Sequence, residues 1–236
     1  MVNPSILILS EKFSRRPTQV ETPLPCDQTP PHSPAQPSDP SNQTIEKFTI
    51  KVAVVVGNII ERTVDVIVNI KNNSVYLNGE DHGVISRAIL KLDISNYRQY
   101  MQHLNRLPYV SYPGDAFWTP SFGLQFKGLI HVLGRSSGNP IHLKSAYYCS
   151  FCLANDYGCR SLAIPLIFTG SSSDAVEESS VGLSHALDDY QSHFQGHERG
   201  QLERIEVFVL DAQTQGEVMS HLVKKTGEWI LVTDVA

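Results

Sequence analysis

The chain has 236 residues, 41% of them hydrophobic and 18% charged, which is typical of a soluble globular protein with a sizeable core. Its formal net charge of −5 argues against a general attraction to nucleic acid or to an anionic membrane surface. No apolar run approaches the roughly 20 residues that span a bilayer, and no secretory leader is recognisable, so we expect a cytoplasmic or nuclear protein.

Residues 1–45 are predicted to form a disordered, proline-rich tail. Eight of the fourteen prolines fall between Pro17 and Pro40, interleaved with Thr, Ser, Gln and Asp. Such a segment cannot bury enough apolar surface to offset the entropy lost on ordering. We interpret it as a spacer. The alternative is a docking segment around Thr29–Pro34 that would bind a protein partner through proline-rich recognition or phosphorylation. Residues 46–236 are predicted to form the folded domain.

From residue 46 onward, apolar runs alternate with helical periodicity. The predicted strands are 48–56, 64–70, 115–119, 128–133, 161–167 and 204–210, with one more from Trp229 to Val235. The predicted helices are 83–92, 142–157, 175–194 and 214–225. This alternation indicates an α/β layered fold with a mixed sheet. Two of the strands, Val52–Val56 and Leu162–Ile167, are too continuously apolar to have a face in water.

Cys149 and Cys152 form a Cys-x-x-Cys pair that invites a zinc or redox interpretation. No second pair follows at the spacing of a zinc finger, and both residues fit an amphipathic helix with Gly158 just beyond its end. We therefore interpret the cysteines, which also include Cys26 and Cys159, as free thiols. No metal and no cofactor are expected.

Two apolar runs near the start of the domain end in polar residues. Ile50–Val56 is followed by Gly57-Asn58, and Val64–Ile70 carries Asn69 and continues into Lys71-Asn72-Asn73. A helical pattern begins near Val84. Open α/β sheets bind ligands at the carboxyl ends of their strands, so this stretch predicts a ligand crevice there.

Five segments in this order resemble the macro domain family over roughly residues 48–226. They are Gly57-Asn58-Ile59-Ile60, Val64 to Asn72, Pro113 to Gly134, Ile164 to Gly170 and Val207 to Asp211. The resemblance implies a three-layer α/β/α sandwich with a mixed, mostly parallel central sheet. It also implies recognition of ADP-ribose, free or attached to a protein, and in some members hydrolysis of an ADP-ribosyl bond.

The resemblance also implies which residues contact the ligand. They are Asn58, Ile59, Asn69, Asn72, Gly79, Thr169, Gly170, Ser171, Ser172 and Leu210. For Asn58 a polar turn is an equal alternative. For Asn69 a structural role that ties the strand to a neighbouring loop is favoured, because a mid-strand amide must be satisfied internally. For Asn72 a ligand role and an ordinary loop role are balanced. Thr169 to Ser172 are expected to keep some phosphate contact, with capping of the following helix as the alternative.

Several of these positions depart from the family pattern. Asn58 replaces an aspartate that accepts a hydrogen bond from the adenine amino group, and Leu210 replaces an aromatic residue that stacks on adenine. A glycine run is reduced to Gly79, and Glu80 and Asp81 beside it would repel a diphosphate. The second phosphate loop lacks its aromatic residue and its second glycine.

Catalysis, if present, would use Asn72 with Asp81 or His82. His82 aligns with the aspartate that activates water in hydrolytic members, and Asp81 is one residue away. We favour a rebuilt loop without catalytic function. The sequence therefore predicts a module that binds ADP-ribose or a related nucleotide weakly, as a reader or protein-interaction scaffold. The alternative is an active mono-ADP-ribosyl hydrolase. A nucleic-acid-binding domain is disfavoured because no basic stripe with interleaved aromatic residues is present.

Overall fold

The computed structural model describes residues 49–72, 85–88, 91, 95, 114–134, 140–167, 174–194, 202–223 and 229–232. The chain divides into two compact units, Met1–Gln43 and Thr44–Ala236, and every described residue belongs to the second. The tail predicted for residues 1–45 and the thiol of Cys26 lie outside the described residues. The disorder of the tail and its role as spacer or docking segment therefore stay predictions.

The described residues contain a mixed sheet of seven strands. The strands are β1 (Lys51–Val56), β2 (Val66–Asn72), β3 (Ala116–Thr119), β4 (Gly128–Gly134), β5 (Ser161–Pro165), β6 (Arg204–Val209) and β7 (Ile230–Val232). Their order is β3-β4-β2-β5-β6-β1-β7, and every neighbouring pair is parallel except β3 with β4. The mixed, mostly parallel sheet predicted from the sequence is confirmed, and each predicted strand is found within a few residues of its expected bounds.

Three helices pack on one face of the sheet: α1 (Pro140–Asp156), α2 (Asp174–Phe194) and α3 (Ala212–Val223). They bury a continuous apolar core against residues such as Val68, Ile130 and Ile164. The opposite face is covered by a 3₁₀ turn, Ile59–Glu61, by residues 120–126 and by a helical turn at 85–88. The rest of the predicted helix 83–92 lies outside the described residues, apart from Lys91, which is helical. Both faces are buried, as a parallel sheet requires.

Helix α1 ends as its sequence predicts. Gly158 has a φ of +67°, and its N–H donates to the carbonyl of Asn155 at 2.9 Å. The N–H of Cys159 donates to Ala154 O at 2.9 Å, so two of the last helical carbonyls are satisfied. In the described part of the chain, no helix has the length and apolar character needed to cross a membrane.

The described cysteines are free thiols, as predicted. Cys149 and Cys152 are half-buried on α1, and Cys159 is buried. Burial raises the pKa of Cys152 to about 12, which makes its thiol a poor nucleophile at neutral pH. Among the described residues there is no group of three or more His, Cys, Asp or Glu side chains placed to hold a metal ion.

The amino ends of three adjacent strands are joined by the carboxylate of Asp65, which directly precedes β2. Its Oδ2 accepts hydrogen bonds from the N–H of Arg160 at 2.7 Å and of Ser161 at 3.0 Å, at the start of β5. Its Oδ1 lies 2.9 Å from Nζ of Lys127, which directly precedes β4. Burial raises the pKa of Asp65, but the bonds from Lys127, Arg160 and Ser161 together outweigh it and leave the pKa below its usual range. One carboxylate thus aligns β4, β2 and β5.

We expect Asp65→Asn to lower the free energy of unfolding by about 2 kcal/mol at pH 7, because it removes charge-assisted hydrogen bonds. The pKa of Asp65 is lowered by folding, so its stabilisation is present above its unfolded pKa and is lost as the pH falls through its folded pKa. The difference between wild type and variant should therefore shrink below about pH 4. Urea denaturation at a series of pH values measures it. Glu177→Gln, on the exposed surface of α2, is the control for loss of one negative charge. If the free energy of unfolding of Asp65→Asn is lower than that of wild type by the same amount at every pH, the charge of Asp65 does not stabilise the fold.

Candidate functional site

A cavity of about 510 Å³ opens at the carboxyl edge of the sheet, where β1, β2, β5 and β6 end. It is lined by Gly57, Asn58, Ile59, Asn69, Ile70, Ile85, Pro165, Leu166, Val176, Phe208, Val209, Leu210, Asp211 and Thr214. The volume lies within the range of roughly 300–1,000 Å³ that is common for small-molecule sites. The crevice that the sequence predicted at these strand ends is present.

Most of the cavity wall is apolar, and its polar groups are few and fixed. Asp211 precedes α3, where its Oδ1 accepts from the N–H of Thr214 at 2.8 Å and its Oδ2 from the Thr214 hydroxyl at 3.0 Å. These two bonds hold the pKa of Asp211 below its usual value, so the carboxylate is a poor base. Among the described lining residues, Asp211 is the one that can carry a charge. The described wall is therefore suited to binding rather than to acid–base chemistry.

Asn58 lines the cavity, yet both ends of its amide are engaged in the turn that it begins. Its Oδ1 accepts from the N–H of Ile60 at 3.3 Å, and its Nδ2 donates to Glu61 Oε1 at 2.8 Å. The polar-turn interpretation of Asn58 is thus confirmed, with Asn58 as the N-cap of the 3₁₀ turn. Ile59 follows, is almost fully buried and also lines the cavity.

Asn69 is 2% exposed on β2 and lines the cavity. Its Nδ2 donates to the Ser86 hydroxyl at 3.0 Å and lies 3.2 Å from Nδ1 of His131, the residue opposite it on β4. The structural role expected for Asn69 is therefore present, although the amide joins a helical turn and a strand rather than a loop. Asn69 thus belongs both to the buried core and to the cavity wall, and its contact with a ligand stays a prediction.

Leu210 lies at the mouth of the cavity and is 93% exposed. Its neighbour Phe208 is almost fully buried in the wall, with the Arg62 guanidinium 5.9 Å from its ring centroid. An apolar side chain that is this exposed at a pocket mouth is available to pack against a ligand.

For the remaining predicted site residues, either the whole residue or its side chain lies outside the described part of the chain. Asn72 is the last residue of β2, opposite Gly134, but its side chain is not among those described. The other residues are Gly79, Asp81, His82, Thr169, Gly170, Ser171 and Ser172. Their ligand and catalytic roles stay predictions. Helix α2 begins at Asp174, one residue before its predicted start, and the capping role offered for this loop stays a prediction.

His131 is fully buried on β4 and is not among the residues that line the cavity. Burial, with a contribution from the charge of Lys71, lowers its pKa well below the usual value, so the imidazole is neutral. Phe117 stacks on this imidazole at 5.1 Å. Trp118, on β3, stacks on Tyr157 with ring centroids 4.1 Å apart.

Among the lining residues that were not predicted as ligand contacts, three bear on the chemistry of the wall: Phe208, Asp211 and Thr214. Asp211 and Thr214 form an Asp-x-x-Thr segment directly before a helical pattern, which is an N-cap signal. That signal, together with the position of the segment after a strand, places both residues at the carboxyl edge. Phe208 gave no signal distinct from a buried strand residue.

A closed ring of hydrogen bonds fixes the chain at the end of β5. The N–H of Ile167 donates to the Tyr147 hydroxyl at 2.9 Å, and the Ser179 hydroxyl donates to Ile167 O at 2.7 Å. The hydroxyls of Tyr147 and Ser179 are 2.7 Å apart. Because the Ser179 hydroxyl donates its proton to Ile167 O, the Tyr147 hydroxyl must donate to Ser179 Oγ. Burial raises the pKa of Tyr147 to about 12, so this donor keeps its proton. The ring anchors the residue next to Pro165 and Leu166 of the cavity wall.

Comparison with known proteins gives matches of sequence and of fold. The sequence model of the Macro domain matches residues 68–179. A macro domain-containing protein of Caldanaerobacter subterraneus is 30% identical over 145 residues, which cover 59% of this chain and 81% of that protein. An O-acetyl-ADP-ribose deacetylase of Citrobacter koseri is 33% identical over 120 residues, which cover 49% of this chain and 66% of the relative.

Solved structures share the fold. The Oceanobacillus iheyensis macrodomain with ADP superposes with a TM-score of 0.60 at 19% identity, covering 73% of this chain and 92% of that chain. The Trypanosoma brucei macrodomain in complex with ADP superposes with a TM-score of 0.57 at 18% identity, covering 72% of this chain and 68% of that chain.

The ring around Ile167 makes a testable contribution to stability. We expect Tyr147→Phe to lower the free energy of unfolding by about 1–3 kcal/mol, because the N–H of Ile167 would stay buried without an acceptor. Chemical denaturation measures the change. Tyr157→Phe removes a hydroxyl from a partly exposed ring that stacks on Trp118, and serves as the control. Equal stability of the Tyr147→Phe and Tyr157→Phe variants would show that the ring of hydrogen bonds around Ile167 does not anchor β5.

Proposed function

This chain belongs to the macro domain family, and we propose that it binds ADP-ribose, free or attached to a protein, weakly and without catalysis. In this role it would read ADP-ribosylation or recruit a protein partner, with residues 1–45 as a candidate docking segment. The observation that carries the proposal is the cavity at the carboxyl edge, which brings Asn58, Ile59, Asn69 and Leu210 of the expected ligand contacts into one wall.

The chemistry of the wall supports a nucleotide held mainly by apolar contact. Ile59, Phe208 and Leu210 offer apolar surface for a base, and Asn69 offers an amide inside the cavity. Reduced affinity follows from two features of the described residues. The Asn58 oxygen accepts from the N–H of Ile60 and carries no charge, and Leu210 provides no aromatic ring for stacking. Both weaken recognition of adenine without closing the cavity.

Calorimetric titration of the full chain with ADP-ribose tests the proposal, with AMP and adenosine as controls. We expect a dissociation constant between about 1 μM and 1 mM for ADP-ribose and weaker binding of both controls. Absence of heat and of a thermal shift at millimolar ADP-ribose would exclude nucleotide binding and direct attention to protein partners.

A gain-of-function variant sharpens this test. Leu210→Tyr should strengthen ADP-ribose binding by a few-fold, because a ring that stacks on the base contributes about 0.5–1.5 kcal/mol beyond area burial. Leu210 is 93% exposed, so the larger side chain displaces no core residue. Ile141→Tyr is the matched control, since Ile141 is 74% exposed on α1 and does not line the cavity. Equal affinity of Leu210→Tyr and wild type would place the base away from this residue.

The relatives favour a second candidate, hydrolysis of an ester or glycosidic bond of ADP-ribose. Relatives about 33% identical are named O-acetyl-ADP-ribose deacetylase. This activity would depend on Asn72 with Asp81 or His82. The sequence argues against it, because His82 stands at the aspartate position and the glycine run is reduced to Gly79. The described wall supplies no further base, since the pKa of its one ionisable side chain, Asp211, is lowered.

We therefore expect the wild-type chain to release no acetate from O-acetyl-ADP-ribose and no ADP-ribose from a modified protein. Chromatography of the reaction mixture measures both products. Turnover that Asn72→Ala abolishes, with an unchanged thermal midpoint, would contradict this expectation and establish the hydrolase.

A further inference from the structure

Three buried polar side chains form a continuous hydrogen-bonded chain that ends in the cavity wall. Thr119 Oγ1 lies 2.9 Å from Nε2 of His131, and Nδ1 of His131 lies 3.2 Å from Nδ2 of Asn69. Thr119 and His131 are fully buried, whereas Asn69 lines the cavity. This series of hydrogen bonds therefore connects edge strand β3, through β4, to a residue of the cavity wall on β2.

The direction of each hydrogen bond follows from Thr119. Its Oγ1 also donates a hydrogen bond to the carbonyl oxygen of Pro120 at 3.1 Å. The single hydroxyl proton of Thr119 is donated to the Pro120 carbonyl oxygen. Its Oγ1 can therefore only accept from His131, whose Nε2 must carry a proton. A neutral imidazole that is protonated on Nε2 has a lone pair on Nδ1, which accepts from the amide of Asn69.

The reverse arrangement is poorer in hydrogen bonds. In it the Thr119 hydroxyl would donate to Nε2 of His131. The carbonyl oxygen of Pro120 would then face a lone pair of Thr119 Oγ1 and lose this hydrogen bond. The reverse arrangement would also turn the amino group of Asn69 away from His131 and Ser86, which in the assigned arrangement take both of its protons. The amide of Asn69 is buried and has both of its protons bonded in the assigned arrangement, so this arrangement is favoured.

The surroundings hold the imidazole in place. Phe117 stacks on the ring of His131, and the ring is fully buried. Burial lowers its pKa, so protonation does not disturb the arrangement near neutral pH. Both amide protons of Asn69 are engaged, and the described residues provide no donor to its Oδ1, so this oxygen can accept from a ligand.

We propose that Thr119 and His131 are positioning residues that fix the amide of Asn69 with its carbonyl oxygen toward the cavity, as an acceptor for a hydroxyl-bearing ligand. The identity of that ligand as ADP-ribose, whose ribose hydroxyls are suitable donors, rests on the proposed function. The orientation of the amide does not. Thr119 and His131 act through Asn69 and do not contact the ligand.

Nitrogen-15 NMR of the imidazole tests the orientation in the free protein, because the two neutral tautomers have different nitrogen shifts. We expect wild type to carry the proton on Nε2. Thr119→Val keeps the shape of the side chain but leaves no acceptor for that proton. It should therefore move the His131 proton to Nδ1, turn the amide of Asn69 around and shift its NH₂ signals. Thr119→Ser restores the hydroxyl and should return the wild-type pattern.

A proton on Nδ1 in wild type, or a charged imidazole at pH 7, would overturn the proposal. So would a Thr119→Val variant that is folded and keeps the proton on Nε2. If Thr119→Val does not fold, the wild-type tautomer alone decides the orientation of the amide.

Titration of the same three proteins with ADP-ribose separates this proposal from the proposed function. We expect Thr119→Val to bind on the order of fivefold more weakly than wild type, through the loss of one hydrogen bond, and Thr119→Ser to bind as wild type does. Equal affinity of wild type and Thr119→Val, despite a changed tautomer, would overturn the acceptor role of Asn69. If wild type binds no ADP-ribose while the tautomer is as expected, the proposed function fails and the positioning of Asn69 stands.

Discussion

The carboxylate of Asp65 fixes the strand register on which the site depends. It ties the amino ends of β4, β2 and β5 together through Lys127, Arg160 and Ser161. In that register Asn69 lies opposite His131, and both point away from the helical core. A slip of one residue would turn every side chain of β2 to the other face and bury the amide of Asn69 against the helices. The bonds of Asp65 at the amino ends of the strands thus fix their alignment, while the residues at the carboxyl ends line the cavity.

Much of the fold was predictable from the sequence because a parallel sheet is buried on both faces. Short, continuous apolar runs such as those of β1 and β5, bounded by polar residues, are typical of strands covered on both sides. Gly158 marked the end of α1 because few other residues adopt a positive φ at low cost. The hydrogen bonds of Asp65 were not predictable, since they join positions about 95 apart in the chain. No local pattern records such a contact.

The location of the cavity was predictable, and the arrangement of the side chains in its wall was not. Strand ends followed by polar residues indicate a crevice wherever neighbouring strands are parallel. The sequence left Asn58 balanced between turn and ligand, and only the geometry shows its amide engaged with Ile60 and Glu61. Likewise, His131 forms a hydrogen bond with Asn69, which lies 62 positions earlier in the sequence. Hydrogen-bonded chains of this kind need the strand register, which a single sequence does not contain.

The central claim is that the carboxyl-edge cavity is where this chain holds its ligand, and an NMR titration with ADP-ribose tests it most directly. Isotope-labelled full-length chain would be followed through its backbone amide signals and the side-chain amide of Asn69. We expect the largest shift changes at Gly57 to Ile59, at Asn69 and at Phe208 to Asp211. Shift changes confined to other surfaces, or none at millimolar ADP-ribose, would contradict the claim.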